Sequence, residues 1–278
     1  MSTLDAVRAV TGDPAHRLVQ DRPGRAVVRV VDRAGRPSII KFDSEPARSL
    51  RERRLLEHLA GGPAGALVPA VLGHGRCPDG TSYLRLEDVR AGRAEDLSRS
   101  GGGPGSWHRV GARLRRLHAG LAGTPCGPAV RPWSAPAVVA GHLSRLVDRG
   151  DLHRGHADLI TARLAAVTAR RAATVHGDLK REHVFHRGQV VRFIDLADAC
   201  PADPLWDLAV LTLDRPRRTA ALLAGYGADD PAAHRDVEAY RLVRAVSDVA
   251  CAWRAGRPAT RLLRRLHVLT AQATRRRR

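Results

Sequence analysis

The chain has 278 residues, 44% of them hydrophobic and only 4% aromatic, which excludes a disordered tail and leaves a core built on Leu, Val and Ala. Its formal net charge of +19 favours anionic partners, yet only Lys41 and Lys180 are lysines and the arginines are spread along the chain, apart from the terminal "RRRR" at 275–278. That dispersal, with so few rings to stack on bases, argues against nucleic-acid binding as the main function.

Residues 3 to 10 predict a short amphipathic helix, with Asp5 and Arg8 where a signal peptide would be apolar. "HRLVQ", "RAVVRVVD" and "PSIIKF" read as three strands, separated by Pro23-Gly24 and by "RAGR" at 33–36. "EPARSLRERRLLEHLA" follows as a helix with Pro46 in its first turn and a stripe of Leu50, Leu55, Leu56 and Leu59. "AVLGHG" and "TSYLRLEDV" are two more strands. After the "GGGPG" loop at 101–105 helices dominate. Trp107, Val110, Leu114, Leu117 and Leu121 recur at spacings of three and four, with Ser106 as the expected N-cap. Further helices are predicted over 135–149, 155–170, 203–213, 216–225, 231–255 and 259–274, with a β-rich interruption over 174–195. No apolar run reaches the roughly 18 residues of a membrane span, so a cytoplasmic protein without a membrane partner is expected. Cys77, Cys126, Cys200 and Cys251 lie far apart with no CxxC pair, against a zinc site and without support for a disulfide framework.

The interruption carries the chemistry. In "VHGDLKREHVF", Gly177 permits a sharp turn that would present Asp178 on a loop, where a carboxylate can take a proton from a hydroxyl. Read alone, the same residues fit a surface turn with an Asx-type hydrogen bond. A β run from Val190 to Ile194 then ends directly on Asp195. A carboxylate at a strand tip either closes a turn or helps hold a divalent cation, and Mg²⁺ takes one or two carboxylates together with phosphate oxygens and water. On the second reading Asp178, His183 and Asp195 converge as base, ligand and ligand.

"HGDLKREHVF" followed by "FIDLADACPADPLWDLA" resembles the aminoglycoside phosphotransferase and choline kinase group, whose fold is similar to that of protein kinases. The order His176-Gly177-Asp178, Ile194-Asp195, Asp203-x-x-x-Asp207-Leu208-Ala209 carries the likeness. One departure is His183, where the group usually has Asn; imidazole is a poorer match to Mg²⁺ than an amide oxygen. The resemblance implies an α+β, two-lobed protein-kinase-like fold: residues 1–89 as a small antiparallel N-lobe with one long helix, and 90–278 as a larger, mainly helical C-lobe. It implies ATP or GTP with Mg²⁺, and a small-molecule hydroxyl acceptor.

Lys41, ending "SIIK", would contact the α and β phosphates, paired with Glu52 rather than Glu57. Gly24 and Arg25 would cover the phosphates, and the backbone of Glu87, Asp88 and Val89 would bind the base of the nucleotide. Lys180 would neutralise the transferring phosphate beside the catalytic Asp178; Asp195 and His183 would hold the metal. Asp198, Asp229, Asp230, Glu238 and Asp248 are the acids expected on the acceptor side, the last four to hold the amines of an aminoglycoside-type antibiotic in resistance or biosynthesis. The basic C-terminus runs against a cationic acceptor, so a neutral sugar, a nucleoside, a peptide antibiotic or a choline-like metabolite stays open. So do a nucleotide-binding pseudokinase and a basic RNA-associated protein. A monomer or a homodimer is expected.

Overall fold

The computed structural model describes residues 6–7, 10–11, 15–90, 94–124, 135–168, 170 and 172–275. Of the helix expected over 3–10, residues 6, 7 and 10 are described and helical. Its other positions lie outside the described residues, as do Cys126 and 276–278 of the terminal arginine run. The chain forms two compact units, each discontinuous in sequence.

The first unit contains Met1–Gly101, Ala119–Pro128 and Arg181–Ala199. Its main sheet has five antiparallel strands in the order β1-β2-β3-β5-β4: β1 Ala15–Arg22, β2 Arg25–Val31, β3 Pro37–Asp43, β4 Val71–Arg76 and β5 Ser82–Glu87. Side chains alternate between the faces of a strand. One face gathers Ala26, Val28, Val30, Ile40 and Phe42 with Ala6, Val7 and Cys77. Lys41 therefore points to the other face, where its cross-strand partners are Val27 and Leu84. Helix α1, Pro46–Ala60, contacts β3, β4 and β5 and buries Glu52, Leu55, Leu56 and Leu59. A second, three-stranded sheet joins β6 (Glu95–Asp96) to the hairpin of β8 (Val184–Arg187) and β9 (Val190–Phe193). A single turn, α2 (Leu97–Ser100), follows β6 and is capped by Asp96.

The second unit contains Gly102–His118, Ala129–Lys180 and Cys200–Arg278. Its helices are α3 Pro104–Gly120, α4 Pro136–Asp148, α5 Arg154–Ala165, α6 Leu205–Thr212, α7 Thr219–Tyr226, α8 Pro231–Arg254 and α9 Thr260–Arg275. The 24-residue α8 is the hub, in contact with α4, α5, α6, α7 and α9. Asp230 caps it by accepting from Ala233 N at 2.9 Å, and Pro231 fills its first turn. Two short strands, β7 (Ala173–Val175) and β10 (Cys200–Ala202), pair antiparallel.

The mixed α+β architecture, with an antiparallel sheet in the N-terminal region and helices in the C-terminal part, is the one expected. Three local readings are corrected. Ser106 is not an N-cap, because α3 already begins at Pro104, a residue whose fixed φ and missing N–H suit a first turn. The helix expected over 155–170 stops at Ala165; Val167 N turns back to Leu164 O, and Thr168 N is taken by the Asp236 carboxylate. β6 and β10 were not foreseen. Among the described residues no helix is long and apolar enough to cross a membrane.

Helices α3 and α7 meet backbone to backbone. A Cβ built at Gly225 would fall inside the His108 carbonyl, and one at Gly111 inside that of Leu222. This approach brings Tyr226, at the end of α7, to His118 on α3 at 2.8 Å. Overpacking a tight crossing costs about 1–3 kcal/mol. Gly225→Ala should lower the unfolding free energy by that amount, read as a lower urea midpoint at an unchanged m-value; a variant as stable as the parent would mean the helices can part freely.

Candidate active site

In the first unit the site begins with a lysine held between two acids. Lys41 Nζ donates to Glu52 Oε1 at 2.6 Å and to Asp195 Oδ1 at 2.9 Å. Three elements supply the three side chains: β3, α1 and the turn after β9. Glu57 instead faces Arg53 at 3.4 Å near the surface. Burial alone would lower the Lys41 pKa, but Asp195 and Glu52 outweigh it and hold the amine above its ordinary value, fully charged.

Asp195 is the one non-glycine among the described residues with positive φ, at 66°. Asp tolerates this left-handed region better than most side chains, at a cost of order 1–3 kcal/mol. The bend ends the strand direction of β9 and starts a 3₁₀ turn at Leu196–Asp198. Two arginines of α1 tie that turn down: Arg51 Nη1 donates to Ala197 O at 3.0 Å, and Arg48 Nη2 to Asp198 Oδ2 at 2.9 Å. Ile194 N closes the hairpin base on His183 O at 3.0 Å. Arg25, just past the Gly24 turn, donates to Asp195 Oδ1 at 2.7 Å, while His183 Nε2 faces Oδ2 at 3.8 Å. The Asp195 carboxylate suits Mg²⁺, which takes one or two carboxylates with phosphate oxygens and water, while the His183 imidazole is the poorer ligand. No cluster of three or more His, Cys, Asp or Glu able to hold a metal occurs among the described residues.

Elsewhere in this unit, Glu87 accepts from Arg192 Nη2 at 2.6 Å and Asp88 from Arg29 Nε at 2.5 Å; Val89 is half-buried.

In the second unit the loop after β7 carries His176, Gly177, Asp178 and Lys180. Its backbone is fixed at three points. Asp207, fully buried on α6, accepts from His176 N at 2.7 Å and from Gly177 N at 3.0 Å, and Trp206 Nε1 donates to Gly177 O at 2.8 Å. Asp207 also lies 2.9 Å from His118 Nε2. Burial, together with Asp207 and Asp203, pushes the Tyr226 hydroxyl above its ordinary pKa, so it stays protonated, and it lies 2.8 Å from His118 Nδ1. The Asp-x-x-x-Asp spacing thus divides the labour: Asp203 Oδ1 accepts from Leu205 N at 2.8 Å at the start of α6, and Asp207 one turn on secures the loop.

Asp178 meets a cation on each oxygen. Lys180 Nζ is 2.6 Å from Oδ2 and Arg244 Nη2 is 2.7 Å from Oδ1. Arg244, on α8, also donates to Asp248 Oδ1 at 2.8 Å, and Arg265 of α9 lies 3.3 Å from Asp248 Oδ2 and 3.0 Å from Asp214 Oδ1. Sequence reasoning missed Arg244; its signal was a pair of arginines, 241 and 244, interrupting the apolar stripe "RLVRAVSDVA".

The expected acceptor acids do not gather. Asp198 lies in the first unit, on Arg48. Asp229 is 2.7 Å from His234, Asp230 caps α8, and Glu238 lines a cavity of about 240 Å³ with Arg163, Arg217 and Arg241. Asp230 and Asp248 stand 18 residues apart on one helix, roughly 27 Å at 1.5 Å per residue.

A family model described as "phosphotransferase enzyme family" matches residues 11–243. The chain belongs to the phosphotransferase enzyme family. Among solved structures it is similar to the GDP complex of an aminoglycoside 2'-phosphotransferase-IIIa, at 18% identity over 100% of both chains and a TM-score of 0.75. It is similar to a choline/ethanolamine kinase family protein from Mesorhizobium loti, at 19% identity over 99% of this chain and 94% of that one, TM-score 0.68. A third is a thermostable mutant of aminoglycoside phosphotransferase APH(4)-Ia in ternary complex with ADP and hygromycin B, at 13% identity over 98% of both chains, TM-score 0.68. At these identities the likeness is one of fold. Comparison with curated proteins returned no match.

The charges around Asp195 set its acid response. Burial alone would raise its pKa, but Lys41, His183 and Arg25 hold the carboxyl well below the usual 3.8. A carboxyl lowered on folding gives stability that is present above its unfolded pKa and lost as pH falls through the folded one. Between about pH 6 and pH 3, the urea midpoint of Asp195→Asn should therefore fall less steeply than that of the wild type, the difference emerging below about pH 4. Equal slopes would mean that Asp195 is not ion-paired in solution.

Proposed function

We propose that the chain transfers the γ-phosphate of ATP or GTP to a hydroxyl of a small molecule. The observation that carries the reading is Lys41 held between Glu52 and Asp195, an ion triad that fixes one ammonium and one carboxylate in the same place. The ammonium suits a pair of phosphates. Gly24 and Arg25 cover those phosphates, and the backbone of Glu87 to Val89 receives the base. Asp195 and His183 are the residues that would hold Mg²⁺, which would offset the negative charge developing on the transferring phosphate. Asp178 orients the acceptor hydroxyl and takes its proton, and Lys180 offsets charge on the transferring group. Positioning and charge neutralisation do most of the work in such reactions.

The fold relatives named as aminoglycoside phosphotransferases support an acceptor of that type or a related natural product, in resistance or biosynthesis. A second reading, a neutral sugar, nucleoside, peptide antibiotic or choline-like acceptor, is favoured by one observation. The acids expected to grip amines are engaged: Asp248 by two arginines, Asp229 by His234, and Asp230 as a helix cap.

The test is nucleotide consumption across aminoglycosides, sugars, choline and nucleosides, with mass detection of the added phosphate. On the acceptor so found, Asp178→Asn should bind nucleotide as the wild type does and lose about 10²–10⁴-fold in kcat. Wild-type turnover in that variant would remove Asp178 from the mechanism.

A further inference from the structure

We propose that Arg244 determines acceptor specificity, selecting hydroxyl compounds without net positive charge and turning polyamines away. The inference rests on the phosphotransferase reading, in which the acceptor hydroxyl must reach Asp178.

Arg244 is a fixed charge. Its side chain is 8% exposed, and its planar fork spans two carboxylates, Asp178 Oδ1 at 2.7 Å and Asp248 Oδ1 at 2.8 Å. Both contacts lie within one unit, on the loop after β7 and on α8. A buried guanidinium with two such partners cannot swing away as a surface lysine could. Lys180 covers the other oxygen of Asp178 at 2.6 Å. Any hydroxyl delivered to Asp178 therefore arrives beside two cations. An ammonium group on the same acceptor meets like-charge repulsion there, strengthened by partial burial.

The neighbouring acids give such an amine no compensation. Lys180, Asp178, Arg244, Asp248, Arg265 and Asp214 form a ladder of alternating charge, three cations against three carboxylates. Asp248 is shared by two arginines, Asp229 lies on His234, and Asp230 caps the far end of α8. A neutral hydroxyl compound, or one whose carboxylate or phosphate can approach Arg244 and Lys180, meets no such penalty.

The experiment is a titration of kanamycin, an aminoglycoside polyamine, into the full-length protein loaded with a non-hydrolysable nucleotide, followed by calorimetry at fixed salt. Wild type should bind kanamycin no tighter than millimolar. Arg244→Gln should gain at least about tenfold in kanamycin affinity, and Arg244→Lys, which keeps the charge, should not. Should Arg244→Gln fail to fold, Arg265→Gln frees one oxygen of Asp248 and should show a gain in the same direction. Micromolar binding of kanamycin to wild type, or unchanged affinity in the folded glutamine variant, overturns the proposal. Nucleotide binding, measured first, separates the two readings. Its absence counts against the phosphotransferase assignment of the site, whereas nucleotide binding together with micromolar kanamycin sinks only the role of Arg244.

Discussion

The first unit depends on one buried ammonium. Lys41 stands in the third strand of the sheet, flanked across its neighbours by Val27 and Leu84, where an uncompensated charge would be very costly. Two carboxylates make it tolerable, and they come from parts of the chain 11 and 154 residues away. A buried pair of this kind adds little net stability, but breaking it by removing one partner costs about 3–5 kcal/mol. The triad is thus a registry device: sheet, helix and hairpin must each be in place before the charges cancel.

Helix α1 acts as the ruler in that arrangement. Leu55, Leu56 and Leu59 pack inward with Glu52 while Leu50, expected in the same stripe, is exposed, and Glu52 reaches Lys41. Arg48, one turn earlier, and Arg51, next to Glu52, hold the segment after Asp195. A single rigid element therefore sets the position of the lysine partner and of the acid that follows the hairpin. The second unit uses a different device for the same end. There a fully buried Asp207 substitutes for missing strand hydrogen bonds on the loop that carries Asp178, and a His118–Tyr226 pair backs it.

What could be read in the sequence was local or motif-borne. Lys41 ends an apolar β run, Asp195 ends another, and the two acids of Asp203-x-x-x-Asp207 sit one helical turn apart; each leaves a pattern a few residues long. The long strands and helices announced themselves through their periods of 2 and 3.6. Strands β6 and β10, of two and three residues, are too short to show a period. Arg244 was hidden for another reason. Its one local trace, two arginines breaking an apolar stripe, is faint in a chain this rich in arginine, and its partner Asp178 lies 66 residues upstream, joined to it only by tertiary packing. The acids expected to act together were chosen by charge, and two of them, Asp230 and Asp248, are separated by most of the length of α8.

The near-absence of lysine has a practical corollary. Arginine supplies almost all the positive charge, so the chain offers just two side-chain amines to acylating reagents. One is sealed between Glu52 and Asp195, the other is partly open beside Asp178. Amine-directed labelling would report on these two positions against a background in which the rest of the basic surface is chemically silent.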